Sequence, residues 1–344
     1  MDDAGNAVVA WTTDGQDGSR TGIFGRRFGG LRPVRLEVDA AASPTSDGNG
    51  VFEPGETVSV EPAWRNVSAA VMLPFSGTAA SFTGPPGSFY SIFDGAAAYP
   101  VVPDGAIARC RDEANCYSMG VAAPSGRPGV HWDPVFAEDL GPNAPSLSKA
   151  WNVHLGRSFA DVSPASAFYR FVETVLHNGV TGGCSASGYC PAASTSREQM
   201  AVFALVSKEG AGYSPPACGV APMFGDVPAT SPFCRWIEEL ARRGVVGGCG
   251  GGNYCPLSPV TREQMAIFAL KTLEGPAYVP PPCAGQTYSD VPVNSPFCPW
   301  IQELTARGVV TGCGGGAYCP LAPVSREQMS VFLTVTFGLQ LYGP

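Results

Sequence analysis

Cysteine carries the most restrictive chemistry in this 344-residue sequence, which contains twelve of them. Four pairs share the spacing C-x5-C: Cys110 with Cys116, Cys184 with Cys190, Cys249 with Cys255, and Cys313 with Cys319. Cys218 and Cys234 recur as Cys283 and Cys298, whereas Val153 and Tyr169 stand at the equivalent places earlier in the chain. Joint absence is what a bonded pair predicts, so Cys218–Cys234 and Cys283–Cys298 are assigned as disulfides and the C-x5-C pairs as local loop closures. Zinc prefers C-x2-4-C knuckles gathered in fours, often with histidine, and the sequence has none of those spacings. Disulfides imply an oxidising, extracellular compartment, and each short closure adds about 2–3 kcal/mol in the chain-entropy picture.

A second set of donors is all oxygen. The run DGNGVFEPGE places Asp47, Asn49, Glu53 and Glu56 around a glycine-bearing turn. It resembles calcium-associated loops that open extracellular β-domains, without the full twelve-residue helix-loop-helix pattern. A plain turn at a strand entry accounts for the same residues, so a Ca2+ site and no cofactor at all both stand. His131, His154 and His177 are dispersed and match no hydrolase pattern, and neither Gly-x-Ser-x-Gly nor HExxH occurs. The expectation is a chain that is not an enzyme. A paired-carboxylate glycosidase stays open, because acid pairs are not legible without a fold.

Composition narrows the partners. A net charge of −8 and a pI near 4.9 provide no basic surface for nucleic acid or anionic lipid. No apolar run reaches the 18 or so residues that a membrane-spanning helix needs. Only 15% of residues are charged, and 43 glycines and 33 prolines mark a chain of turns and short elements, which favours extracellular β-structure or compact repeats. Residues 1–30 have no basic n-region and apolar core of a signal peptide, although a secreted chain requires one. The expectation is that Met1 is an artificial or accidental start and that the natural polypeptide extends upstream.

The C-terminal half must position most of the cysteines, and it does so with one unit written three times. FADVSPASAFYRF…TSREQMAVF, FGDVPATSPFCRW…VTREQMAIF and YSDVPVNSPFCPW…VSREQMSVF keep nearly gap-free register, with Asp161, Asp226 and Asp290 leading and Arg197, Arg262 and Arg326 closing. Ser231-Pro232 and Ser295-Pro296 read as an N-cap followed by proline at the first helical position. Phe233, Trp236, Ile237 and Leu240 then recur at helical spacing, as do Phe297, Trp300, Ile301 and Leu304, and Gly244 and Gly308 stop these helices. Ser196, Thr261 and Ser325 open a second helix with glutamine three residues on, a capping box. Met200/Phe203/Ala204, Met265/Phe268/Ala269 and Met329/Phe332/Leu333 supply its buried face. Two short helices joined by a long loop cannot bury both apolar stripes alone, so the three units must pack together.

These residues resemble the S-layer homology family, whose repeats run from aromatic-x-Asp-Val through an aromatic-bearing helix and a Gly/aromatic/Pro loop to Thr-Arg-Ala-Glu opening a second helix. The match spans residues 159–344. The resemblance implies a pseudo-threefold helical bundle that anchors surface proteins on acidic cell-wall polysaccharide. By position it gives the glycan-contacting role to Arg197, Arg262 and Arg326, with Trp236 and Trp300 in support. A guanidinium fork suits a carboxylate, and an aromatic face suits a sugar ring. This sequence departs from the family in having Glu-Gln after the arginine, which sets Glu198, Glu263 and Glu327 beside it, in bracing its loops with disulfides, and in carrying Phe171 where the other repeats have tryptophan. Capping and core packing explain the same arginines, tryptophans and aspartates without any ligand.

The N-terminal half alternates short apolar segments, VRLEVDAA, ETVSVEPAWRNV and SFYSIFDG, with Gly, Pro and Ser turns, which reads as an antiparallel β-sandwich. The whole is expected to be α+β: residues 1–34 a hairpin or the end of an upstream β-repeat, 35–158 the sandwich, and 159–217, 218–282 and 283–344 the three repeats. The leading functional expectation is a non-catalytic, secreted protein of the cell surface or S-layer, attached through cell-wall polysaccharide. The alternative is a structural subunit that partners other copies of itself in a fibre or lattice, exchanging its N-terminal strands. A weaker third is a wall-anchored fragment of a carbohydrate-active enzyme.

Overall fold

In a computed structural model of the chain, the described residues are 7–13, 22–28, 30–141, 144 and 147–343. The protein is α+β, with antiparallel sheets in its N-terminal part and six helices in its C-terminal part among those residues. It divides into two compact units, Met1–Gly156 with Tyr342–Pro344, and Arg157–Leu341.

In the first unit, strands β1 (Ala7–Thr13) and β2 (Gly22–Phe28) pair with each other in a two-stranded sheet. The Gly/Asp-rich turn expected between them lies outside the described residues. β3 (Leu31–Val38), β4 (Thr57–Asn66), β5 (Phe75–Thr83), β6 (Phe89–Asp94), β7 (Ala96–Tyr99), β8 (Ile107–Arg109), β9 (Tyr117–Ala122), β10 (Val135–Leu140) and β11 (Ser148–Asn152) form two further sheets. One has the order β3-β4-β9-β6, with β8 also on β4; the other runs β11-β10-β5-β7. The three segments read from sequence as strands fall on β3, β4 and β6. Alternation decides which face each strand buries: Phe75, Gly77, Ala79 and Phe82 of β5 turn inward while the residues between them stay out.

The inward faces of the two larger sheets meet through aromatic rings. Trp64 of β4 lies edge-on to Trp151 of β11 at 5.7 Å, and Tyr117 of β9 edge-on to Phe136 of β10 at 5.9 Å. One carboxylate sits among them. Glu138 of β10, fully buried, accepts from Tyr99 Oη at 2.5 Å, Tyr117 Oη at 2.9 Å, Trp151 Nε1 at 2.8 Å and Trp64 Nε1 at 3.2 Å. Burial raises its pKa above the ordinary carboxylate value, against the opposing effect of these four donors. The chain end returns to this unit. Phe52 N–H donates to Tyr342 Oη at 2.8 Å, and that hydroxyl donates to the His154 carbonyl at 3.1 Å.

The second unit contains α1 (Tyr169–His177), α2 (Arg197–Glu209), α3 (Cys234–Arg242), α4 (Arg262–Glu274), α5 (Cys298–Ala306) and α6 (Arg326–Phe337). α2, α4 and α6 open where the capping boxes predict. Ser196 and Thr261 accept from the backbone of Gln199 and Gln264, whose side chains reach back to them. Ser325 makes only the forward bond, to Gln328, whose Oε1 is buried without a partner. The apolar triplets expected on these helices are all buried.

The shorter helices start later than their sequence suggests. Ser231 O accepts from Cys234 N–H at 3.1 Å and Ser231 Oγ from Phe233 N–H at 3.2 Å, so Ser231-Pro232 forms an entry turn and α3 begins at Cys234. An i→i+3 bond closes that turn, one residue tighter than an α-helical turn. The glycine stops hold: Gly244, at φ 64°, donates to Ala241 O while Val245 donates to Leu240 O. That pair of bonds satisfies the last carbonyls and needs a left-handed residue, which glycine adopts without strain.

The repeats close on one another. Thr195 N–H donates to Val324 O, Val324 N–H to Val260 O, and Val260 N–H to Thr195 O, each at 2.9 Å. α2, α4 and α6 also contact each other pairwise, and each packs against the short helix of the following repeat, α2 on α3, α4 on α5 and α6 on α1. No repeat satisfies its own central backbone groups.

All six assigned disulfides form, with Cα–Cα distances of 5.1–6.1 Å. One of them belongs to the first unit. Cys110 is buried at the end of β8 and bonds to Cys116, which is half-buried just before β9 and lies 5.1 Å away between Cα atoms. A single 3₁₀ turn (Cys110–Glu113) and Ala114, left-handed at φ 52°, bring the two together, with Asn115 N–H donating to Cys110 O at 3.3 Å. Cys116 therefore closes a hairpin-like loop between strands that both pair with β4, whereas the other three C-x5-C bonds close loops of the helical repeats.

No free cysteine exists among the described residues, so no thiolate remains there for a metal. In the first repeat, Tyr169 begins α1 where the others have a bonded cysteine, and its hydroxyl accepts Arg157 N–H at 2.7 Å. Reduction under native conditions is expected to lower the melting temperature of the second unit by about 10 °C or more, since every disulfide but that of Cys116 lies there and each is worth a few kcal/mol. Scanning calorimetry with and without reductant checks this; an unchanged transition would remove the stabilising role of these bonds.

Candidate functional site

Each arginine of the Ser/Thr-Arg-Glu-Gln-Met motif lies between two rings of the next repeat. Arg197 Cζ sits 4.7 Å from the Tyr254 ring centroid and 5.6 Å from that of Phe268. Arg262 takes the same place at 4.7 Å over Tyr318 and 5.7 Å over Phe332, and Arg326 at 4.9 Å over Tyr189 and 5.6 Å over Phe203. The cycle therefore closes from the third repeat back to the first. Every contact is clasped by two hydrogen bonds. Arg197 Nε donates to Tyr254 O at 2.8 Å while Tyr254 Oη donates to Arg197 O at 2.9 Å, and the same reciprocal pair joins Arg262 to Tyr318 and Arg326 to Tyr189.

The arginines are 7%, 6% and 4% exposed, in chain order, so packing governs them as much as any ligand could. The sequence places a glutamate directly after each, yet no ion pair joins either side of that step among the described residues. Burial raises Glu198 and Glu263 above the usual carboxylate range. Arg326 Nη2 donates to Thr181 Oγ1 at 3.1 Å, whereas the corresponding positions facing Arg197 and Arg262 are Val246 and Val310. The terminal nitrogens of Arg197 and Arg262 have no hydrogen-bond partner among the described residues, which leaves a charged donor edge on each.

The tyrosines are set by the leading aspartates. Asp226 accepts from Tyr254 N–H and Cys255 N–H, both at 2.7 Å, and Asp161 and Asp290 hold Tyr189-Cys190 and Tyr318-Cys319 identically in kind. Burial works against the Asp290 carboxylate, yet these two N–H donors hold its pKa below the ordinary value. The fixed cysteines adopt left-handed φ of 57°, 59° and 60°. One carboxylate thus pins the C-x5-C loop and presents the ring on which the preceding repeat's arginine rests. Among the described residues no carboxylate pins Cys116 as the aspartates pin the repeat cysteines and no arginine rests on its loop, so that C-x5-C loop shares the spacing of the repeat loops but not their contacts.

Trp236 and Trp300 belong to another cluster. No hydrogen bond or ring contact joins them to the three arginines among the described residues. Trp236 packs edge-on to Tyr213 at 6.2 Å, and Trp300 to Tyr278 at 6.2 Å with Lys271 Nζ 5.8 Å from its ring. Arg243 lies 5.2 Å over Tyr213, donates to its hydroxyl at 2.7 Å, and pairs with Glu209 at 2.5 Å and Glu239 at 2.7 Å. Arg307 repeats the pattern with Tyr278, Glu274 and Glu303. Both tryptophans are half-buried. Sequence reasoning missed this cluster and the ring-bearing tyrosines, although Tyr189/Tyr254/Tyr318, Tyr213/Tyr278 and Arg243/Arg307 recur in register with the aspartates.

The oxygen donors Asp47, Asn49, Glu53 and Glu56 lie together between β3 and β4. Asn49 Nδ2 donates to Asp47 Oδ2 at 3.0 Å and Glu53 Oε1 at 2.9 Å, while its Oδ1 accepts Val51 N–H at 2.8 Å. His154, fully buried, places Nδ1 2.7 Å from Asp133 Oδ1.

The helical part is thus three units tied in a cycle by buried arginines, with a separate cluster of charged and aromatic side chains around Trp236 and Trp300. The sequence profile of the S-layer homology domain matches residues 224–266, which contain α3, the disulfide loop and the start of α4. The chain carries an S-layer homology domain and is a protein of the cell surface. Over 121 residues it is 26% identical to the Surface-layer 125 kDa protein of Lysinibacillus sphaericus, a match covering 34% of this chain and 10% of that protein. The chain therefore spans about a tenth of that relative's length. No helix among the described residues is long and apolar enough to cross a membrane.

Proposed function

We propose that this chain is a non-catalytic surface protein in which a β-sandwich is joined to a pseudo-threefold bundle of three S-layer homology repeats, and that the bundle attaches it to the envelope by binding acidic cell-wall polysaccharide. The observation that carries this reading is the spare guanidinium edge of Arg197 and Arg262, held rigidly between rings beside the interfaces of successive repeats. A planar, permanently charged fork with its orientation already fixed loses little entropy on pairing with a sugar carboxylate. Arg326, with one donor already committed to Thr181, contributes less. Trp236 and Trp300, half-buried and backed by tyrosine, offer faces for sugar rings at sites separate from the arginines. Glu138 supports the non-catalytic reading: its pKa is perturbed as a general acid's would be, but four donors enclose it.

Co-sedimentation with isolated sacculi tests the reading. The oxidised chain is expected to pellet with native sacculi and to stay in solution with sacculi stripped of their attached polysaccharide. Arg262→Lys keeps the charge and loses the fork, and is expected to bind about tenfold more weakly while the chain remains folded by circular dichroism. Equal pelleting with native and stripped sacculi would overturn polysaccharide recognition. One observation favours a second reading, self-assembly by strand exchange: β1 and β2 pair only with each other among the described residues. An isolated two-stranded hairpin is marginal in water and leaves both edges open to another chain. Ordered pelleting without sacculi, lost on deleting residues 1–28, is the outcome that reading expects.

A further inference from the structure

Asp39 closes β3 at the foot of the turn that holds the oxygen donors, and its environment is unusual for a carboxylate. It is fully buried, and neither of its oxygens has a partner in hydrogen-bonding geometry; the Ser46 hydroxyl and Gly48 N–H lie close but off that geometry. Its backbone is fixed on both sides, with Asp39 N–H donating to Ser59 O and Gly50 N–H donating to Asp39 O, each at 3.0 Å. The conformation is left-handed, at φ 49°. A fully buried Glu53 and a half-buried Glu56 converge on the same point, and one carboxylate oxygen from each of the three residues lies within 4.8 Å of the others. Glu56 is aimed there by Asp47 N–H at 3.3 Å and Glu53 N–H at 3.1 Å. Asn49 steers Glu53 and Asp47 through its amide nitrogen.

Three carboxylates gathered together, two of them out of water, repel one another, and the buried pair is costly to desolvate. Burial accordingly raises Asp39 above the ordinary carboxylate range, with Glu56 and Asp47 adding to the rise and Ser46 opposing it. Such an arrangement is stable when a cation sits among the oxygens. A donor set of oxygen alone, rich in carboxylate, suits a hard cation with flexible coordination, and oxygens that all lie within 4.8 Å of one another fall within about the span of two Ca–O bonds of 2.3–2.6 Å each. We propose that Asp39, Glu53 and Glu56 bind one Ca2+ in the first unit, with Asp47 and Asn49 as positioning residues. Asp39 escapes a reading of the sequence because it lies eight residues upstream of DGNGVFEPGE, on the end of the preceding strand.

The ion would lock β3 to the start of β4. Calorimetric titration of the chelator-treated full chain with Ca2+ is expected to show one site, of about 10⁻⁴–10⁻³ M or tighter as in extracellular modules. Saturating Ca2+ is expected to raise the first unit's melting temperature by about 5 °C, and Mg2+ at the same concentration by far less. Asp39→Asn keeps the shape and removes one charge. That variant is expected to melt at or above the wild-type temperature in chelator and to lose at least tenfold in Ca2+ affinity. A chain whose melting temperature is unmoved by Ca2+, or moved equally by Mg2+, would overturn the assignment. So would an Asp39→Asn variant destabilised equally with and without the ion, since that marks Asp39 as a plain loop fastener.

Discussion

Arg262→Ala is expected to destabilise the second unit by about 3–4 kcal/mol, measured by denaturant unfolding of the oxidised chain. The guanidinium contributes a charged hydrogen bond to the Tyr318 carbonyl and two ring contacts, worth about 1.5–3 and 0.5–2 kcal/mol respectively when desolvated, and its loss opens a space between Tyr318 and Phe332. The effect should reach beyond one interface. Arg262 links the second repeat to the third, and the backbone bonds of Thr195, Val260 and Val324 run round all three, so one weakened contact strains the whole cycle. Arg197→Ala and Arg326→Ala are expected to give losses of similar size with a single cooperative transition. A loss under about 1 kcal/mol would show that the rings do not depend on the arginine, and would shift its role wholly to ligand contact. This prediction also governs how binding is measured: an alanine variant that fails to hold sacculi proves nothing until its fold has been checked, which is why lysine is the better probe of recognition.

The second large effect belongs to Glu138. Glu138→Ala is expected to cost the first unit about 4 kcal/mol, because it strands two indole N–H groups and two hydroxyls in a dry interior and leaves a cavity between the sheets. Glu138→Gln is expected to cost about half as much. Its carbonyl can accept from both tryptophans, and the tyrosine hydroxyls can rotate to accept from its amide, whereas an indole nitrogen has no such choice. Thermal unfolding of the two variants decides this. If alanine and glutamine prove equally mild, water has entered the site and the four-donor network is not what joins the sheets.

Much of this fold was legible because local physics wrote it. Recurring cysteines gave the five disulfides of the repeats, and for Cys218–Cys234 and Cys283–Cys298 the joint replacement of both members by Val153 and Tyr169 is meaningful in sequence alone. The spacing of Cys110 and Cys116 gave their bond as well, but not that it would join strands of a sheet rather than brace a repeat, which depends on the pairing of β8 and β9 with β4. Capping boxes and glycine stops marked three helix starts and two helix ends because caps act over three or four residues. The helices after Ser231 and Ser295 begin two residues later than Pro232 and Pro296 suggest, since serine-proline satisfies a 3₁₀ turn as well as an α-helical first turn.

What sequence could not reveal was which groups meet across repeats. Arg197 and Tyr254 are 57 residues apart, and nothing in either local pattern says that the arginine will be covered by a ring rather than left in a groove. The same limit hid Asp39, which reads as the ordinary end of a strand until the fold brings Glu53 and Glu56 against it. Sequence by itself determined the repeat, its helices, its disulfides and the family that it resembles, because these depend on short-range spacing. Tertiary structure alone decided that the motif arginines are buried ties, two of them with a spare charged edge, that Trp236 and Trp300 stand apart from them, and that one carboxylate holds two sheets, because burial and partner choice are set by chain segments distant in sequence.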